Sequence, residues 1–97
     1  MYEYKDEKVC FITGYRGMYG FDIHHVLNGP LRDWSDEQGL WVYLRSDVHK
    51  WLHSTGLGRK TMNELKKNAQ LKWEELNRDK YDDVHAEWMK VVRKNYV

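Results

Sequence analysis

Four of the five histidines fall in two tight groups: His24 and His25 in the run Asp22-Ile23-His24-His25-Val26, and His49 with His53 in Val48-His49-Lys50-Trp51-Leu52-His53. Imidazole is both a divalent-metal ligand and a base that works near neutral pH. Together the two groups can hold one divalent ion and supply one proton acceptor. That pairing is what metal-assisted cleavage of nucleic acid requires: positive charge at the scissile phosphate and a base for the attacking water. On a strand, successive side chains point to opposite faces, so His24 and His25 must do different work unless the chain bends there. One faces the metal, the other the substrate or the core.

The elements that must carry these residues follow from local pattern. Lys8 to Thr13 is rich in strand formers and stops at Gly14, and Gly14 to Gly20 reads as a turn region leading to a second strand, Phe21 to Val26. These two strands are expected to form a hairpin. Asn28-Gly29-Pro30 breaks the pattern, Leu31 to Gly39 reads as a polar loop anchored by Trp34, and Leu40 to Leu44 as a third strand. Ser46 or Asp47 can cap a short helix from Val48, which places His49 and His53 on one face. Ser54 to Gly58 interrupts that helix. Met62, Leu65, Ala69, Trp73 and Leu76 recur at helical spacing and predict a helix over Lys60 to Asn77. A last helix follows Asp79, with Tyr81, Val84, Trp88, Val91 and Val92 on its apolar side. Strands early and helices late, without βαβ alternation, give an α+β fold.

The chain's 97 residues suffice for one domain and one core. Charged residues make up 32% against 41% hydrophobic, and a core leaning on its aromatics, mostly the five Trp and seven Tyr, is expected. No apolar stretch is long enough to span a bilayer and Met1 to Asp6 is not a secretory signal, so a cytoplasmic protein with no membrane partner is expected. The single cysteine, Cys10, excludes an intramolecular disulfide and a Cys-only zinc site. A formal charge of +1 argues against a basic coat over the whole surface. Still, Arg59, Lys60, Lys66, Lys67 and Lys72 are separated from Asp79, Asp82 and Asp83, so one basic face can form.

Around the histidines the chain resembles the HNH family of ββα-metal endonucleases, including small HNH-like proteins of bacteriophages. Asp22-Ile23-His24-His25-Val26 is similar to the family's first motif, an Asp or His ligand followed by the catalytic His and an aliphatic residue. Leu44-Arg45-Ser46-Asp47-Val48-His49 is similar to the second motif, Leu-Cys-x-x-Cys-His, with both cysteines replaced. Cys10-Phe11-Ile12-Thr13-Gly14 resembles the Cys-x-x-Cys-Gly of zinc-bearing members. The run Trp34 to Leu40 is phage-like. The likeness covers roughly residues 8 to 75.

The resemblance implies one HNH-like domain over 1–97: a β-hairpin plus helix (a ββα-metal core, about 8–58) followed by two longer C-terminal helices (about 59–97). It implies a metal-dependent endonuclease cutting phosphodiester bonds in DNA, phage-encoded and acting in the bacterial host cytoplasm. His25 is then the base; His24 and His49 are metal ligands, His53 a third, and Asp22 an oxygen ligand if the strand bends. Arg32, Arg45, Arg59 and Lys60 are the candidate nucleic-acid contacts. The ion would be Mg²⁺, Mn²⁺, Ni²⁺ or Zn²⁺, with imidazoles suiting the last three better. Of the four zinc positions, Cys10, Thr13, Arg45 and Val48, only one keeps its cysteine, so no structural zinc is expected. Gly39-Leu40 stands where the family has its middle Asn. That loss supports an alternative: a catalytically degenerate HNH-like phage protein that binds nucleic acid or inhibits a host protein. The apolar stripes of the last two helices leave monomer and homodimer both open.

Simpler readings apply elsewhere. His85, among Asp82, Asp83 and Glu87, reads as solvated or ion-paired, Cys10 as a small buried hydrophobe, and Trp41, Trp51, Trp73 and Trp88 as core or interface.

Overall fold

The computed structural model describes residues 7–97. Met1 to Asp6, on which the reading against a secretory signal rests, lies outside the described residues. The architecture is α+β: two small antiparallel sheets and four helices. In order they are β1 (Lys8–Val9), β2 (Arg16–Gly17), β3 (Phe21–His25), α1 (Arg32–Glu37), β4 (Trp41–Arg45), α2 (Ser46–Ser54), α3 (Gly56–Asn77) and α4 (Val84–Val92). Short 3₁₀ turns at Gly29–Leu31 and Arg78–Lys80 lead into α1 and out of α3.

The strands pair differently from the expected hairpin. The chain after Val9 turns back within a few residues: the Cys10 amide donates to the Tyr15 carbonyl (2.8 Å), the Gly14 amide donates to the Cys10 carbonyl (2.8 Å), and Gly14 takes φ 75°. That local closure pairs β1 with β2. β3 therefore pairs with β4, over the full register from Phe21↔Arg45 to His25↔Trp41. Phe11 lies past the end of β1, and its amide donates to the Tyr43 carbonyl (2.9 Å), tying the first turn to β4.

The segment 31–39, expected as a loop, contains α1. Pro30 suits the opening turn because it has no amide hydrogen to satisfy there. Trp34 packs against Trp73 and Trp88, with ring centroids at 5.7 and 6.0 Å. Ser35 is fully buried and its hydroxyl donates to the Leu40 carbonyl. Gly39, at φ 75°, then turns the chain into β4.

α2 begins at Ser46, with Arg45 in the cap position; neither Ser46 nor Asp47 occupies it. The Ser46 hydroxyl instead donates to the Gly20 carbonyl and to Asp22 Oδ1, while Asp47 Oδ1 accepts from the Val48 amide. The break before α3 is a single residue. Thr55 is extended and its hydroxyl accepts the Gly58 amide (2.8 Å), capping α3 at Gly56, earlier than the expected Lys60. At Gly58 the two helices touch backbone to backbone: an added Cβ would lie 2.5 Å from the Leu52 carbonyl oxygen.

Leu65, Ala69 and Trp73 are buried as their spacing predicts, but Leu76 is exposed and Asn77 is buried in its place. Gln70 is buried too, because the C-terminal segment lies over it: its Oε1 accepts the Tyr96 amide and its Nε2 donates to Asn95 Oδ1 and Glu74 Oε2. α4 starts at Val84, later than expected, capped by Asp83, whose Oδ1 accepts the Ala86 amide. Tyr81 therefore precedes the helix and stacks on Trp73. Trp88 is fully buried and donates through Nε1 to the Lys94 carbonyl. Leu27, Leu44, Leu52 and Cys10 link the β3–β4 hairpin to α2 and α3 in one core.

Candidate metal centre and flanking base

Three histidines converge where β3 meets α2. Asp22 and His24 are two apart on β3 and so share its α2-facing side; His49 and His53 are one turn apart on α2 and face back. One ring nitrogen from each of His24, His49 and His53 lies within 4.8 Å of the others, close enough to hold a single metal ion. His24 is only 3% exposed, His49 is half-buried and His53 is exposed, so the cluster is closed on the sheet side and open to solvent beyond His53.

The Asp22 carboxylate reaches the cluster through His49. Its Oδ2 accepts from His49 Nδ1 at 2.9 Å while its Oδ1 accepts from the Ser46 hydroxyl at 3.0 Å. The hydrogen bond from His49, then that from Ser46, hold the Asp22 carboxyl below the ordinary carboxylate range. With Nδ1–H turned to Asp22, His49 presents Nε2 to His53, whose Nε2 lies 3.3 Å away. Two nitrogens bound tetrahedrally to zinc at about 2.0–2.1 Å are about 3.4 Å apart, so this spacing suits a shared ion. Burial, then repulsion from the protonated forms of His49, His53 and His25 and from Lys66, pushes the His24 imidazole down to about 4. At neutral pH it is uncharged, the form in which an imidazole can bind a metal.

His25, the last residue of β3, is held by α1 instead of α2. Its Nδ1 lies 2.7 Å from Asp36 Oδ1 and its Nε2 lies 2.8 Å from an Arg32 guanidinium nitrogen, Nη2. Arginine can only donate and an ionised carboxylate can only accept, so one neutral tautomer satisfies both contacts: Nδ1–H to Asp36, with the Nε2 lone pair toward Arg32. Asp36 thus fixes the orientation of the His25 ring. Its signal lay in Arg32-Asp33-Trp34-Ser35-Asp36. Read as a helical turn, that run puts Arg32 and Asp36 on one face, where they form an i,i+4 pair at 4.0 Å. Read as a loop, it carries no such relation.

The remaining candidates are dispersed. The Arg45 guanidinium lies 4.5 Å from the Tyr15 ring centroid and pairs with Asp47 at 3.3 Å. Arg59 and Lys60 are exposed in the first turns of α3. His85 pairs with Glu74 at 3.1 Å. The buried Cys10 thiol shows how the first turn holds its shape. Burial alone would raise its pKa, but hydrogen bonds from the Thr13 hydroxyl and the Arg45, Thr13 and Ile12 backbone outweigh that and leave it lowered. Trp73 and Trp88 are buried as expected, whereas Trp41 and Trp51 are partly exposed.

Among the described residues, no helix is long and apolar enough to cross a membrane. Comparison of the chain with known protein families, curated proteins and solved structures gives no match.

Proposed function

We propose that this protein is a metal-dependent endonuclease of the HNH type that hydrolyses phosphodiester bonds in DNA within a bacterial host's cytoplasm. The observation that carries the reading is the convergence of His24 on β3 with His49 and His53 on α2, His49 aimed by Asp22, next to the carboxylate-held His25 that follows His24. The three imidazoles would hold Mn²⁺, Ni²⁺ or Zn²⁺ in preference to Mg²⁺, which favours oxygen ligands. When bound, the ion offsets phosphate charge and stabilises the departing oxygen. His25 Nε2 takes a proton from water, the resulting hydroxide adds to phosphorus, and the phosphorus–oxygen bond to the leaving strand breaks. That oxygen then takes a proton from solvent. Asp36 keeps the His25 proton on Nδ1 throughout and stabilises the imidazolium that forms. Arg32, at the base, contacts the phosphate; Arg45, Arg59 and Lys60 meet the nucleic-acid backbone.

Plasmid nicking tests this reading. Cleavage that requires added Mn²⁺, Ni²⁺ or Zn²⁺ and disappears in His25→Ala supports it. No cleavage across Mg²⁺, Mn²⁺, Ni²⁺ and Zn²⁺, with DNA or protein binding retained, selects a second reading, a binding protein on a degenerate HNH-like scaffold. That alternative draws its support from Arg32, whose contact occupies the His25 lone pair.

A further inference from the structure

We infer that Arg32 is a phosphate-operated cap on His25: in the free protein its guanidinium occupies the His25 Nε2 lone pair, and an incoming phosphate group draws the guanidinium away and frees the base. The inference rests on the hydrolytic reading only in taking phosphate as the ligand.

Three observations support it. The contact is short, 2.8 Å from Nη2 to Nε2, and Arg32 can only donate in it. While it lasts, that lone pair is unavailable to a water proton. Arg32 is also weakly held otherwise: its side chain is 56% exposed and its approach to Asp36 Oδ2 is 4.0 Å, at the margin of an ion pair. Asp36 meanwhile is committed through Oδ1 to His25 at 2.7 Å. Finally, the backbone under Arg32 is fixed, because Trp34 and the buried Ser35 anchor α1 to the core. The motion needed is a side-chain swing alone.

Acceptor chemistry sets the direction of that swing. A neutral imidazole offers one lone pair, whereas a phosphate offers a full negative charge and a two-point match to the guanidinium fork. The stronger acceptor takes the arginine. A single side chain then couples substrate arrival to base activation, and Asp36 keeps His25 in the same tautomer before and after release.

The test uses the 97-residue chain freed of metal by a chelator, with ¹⁵N-labelled histidine, read by NMR, with inorganic phosphate as the probe. The expected result is that the His25 Nε2 resonance moves toward the value of an unbonded lone pair as phosphate is added. Arg32→Ala should show that value without phosphate and move no further. Acylation of His25 by diethyl pyrocarbonate, located by peptide mass spectrometry, should be roughly tenfold or more faster in Arg32→Ala, the factor expected on losing a charge-assisted hydrogen bond. An unchanged Nε2 resonance and acylation rate in Arg32→Ala overturn the cap. A wild-type resonance indifferent to phosphate overturns its operation by phosphate. Because neither measurement depends on cleavage, a phosphate-released cap in a protein that never nicks DNA upholds this inference and rejects hydrolysis. Nicking with an unmoved Nε2 resonance does the reverse.

Discussion

Asp22 Oδ2 and His49 Nδ1 lie 2.9 Å apart across 27 positions of sequence, and that contact joins the β3–β4 hairpin to α2 at the histidine cluster. A carboxylate behind a ligating imidazole fixes its tautomer and raises its basicity. Asp22→Asn is therefore expected to weaken Zn²⁺ or Ni²⁺ binding by about 10–100-fold, the usual effect of removing such a partner. Isothermal titration checks this. An unchanged affinity would show that Asp22 does not act through His49.

Asp36→Ala should separate the proposed base, His25, from the proposed metal site. Its carboxylate touches His25 and none of the three clustered histidines. Nicking should fall by about 10²–10⁴-fold, the range for a general base, while metal affinity stays at the wild-type value. A parallel loss of metal binding would contradict the division of labour between the Asp36–His25 and Asp22–His49 pairs.

Stability of the chelated protein should decline in mild acid because of His24. Its ordinary value of 6.5 falls to about 4 in the fold, chiefly through burial. Between those values the unfolded chain takes up a proton that the folded one refuses, so unfolding becomes easier as pH drops. This contribution costs nothing above pH 6.5 and approaches about 3 kcal/mol near pH 4. Thermal melts at pH 7.5 and 5 should show a steeper loss for wild type than for His24→Leu. Equal slopes would place the acid sensitivity elsewhere.

Gly58 is set by packing. It is helical, and the Leu52 carbonyl oxygen and Cα would lie 2.5 and 2.7 Å from a Cβ there. These are backbone atoms of α2 and cannot turn aside. Gly58→Ala should cost about 1–3 kcal/mol, lowering Tm by several degrees in a domain of this size. An unchanged Tm would mean that α2 and α3 can part without cost.

The parts of this site that depend on one element were legible in the sequence. The period of 3.6 put His49 and His53 on one face, and the period of 2 separated His24 from His25. The relations that failed were nonlocal or too short to show a period. Whether the run after Lys8 pairs with β2 or β3 depends on where its turn closes, and closure at Cys10 and Gly14 leaves β3 for β4. α1 spans under two turns, too little for periodicity, so Asp36 passed as part of a loop. Gln70 is buried only because the C-terminal segment returns to bond with it, which no local pattern announces.

The most direct test of the metal centre is isothermal titration of the chelated and dialysed protein with Ni²⁺, alongside His24→Ala, His49→Ala, His53→Ala and His85→Ala. One ion per chain is expected, with binding lost or weakened at least about 100-fold in each of the first three and unchanged in His85→Ala. No binding by the wild type, or full binding in His49→Ala, would contradict a shared site at His24, His49 and His53.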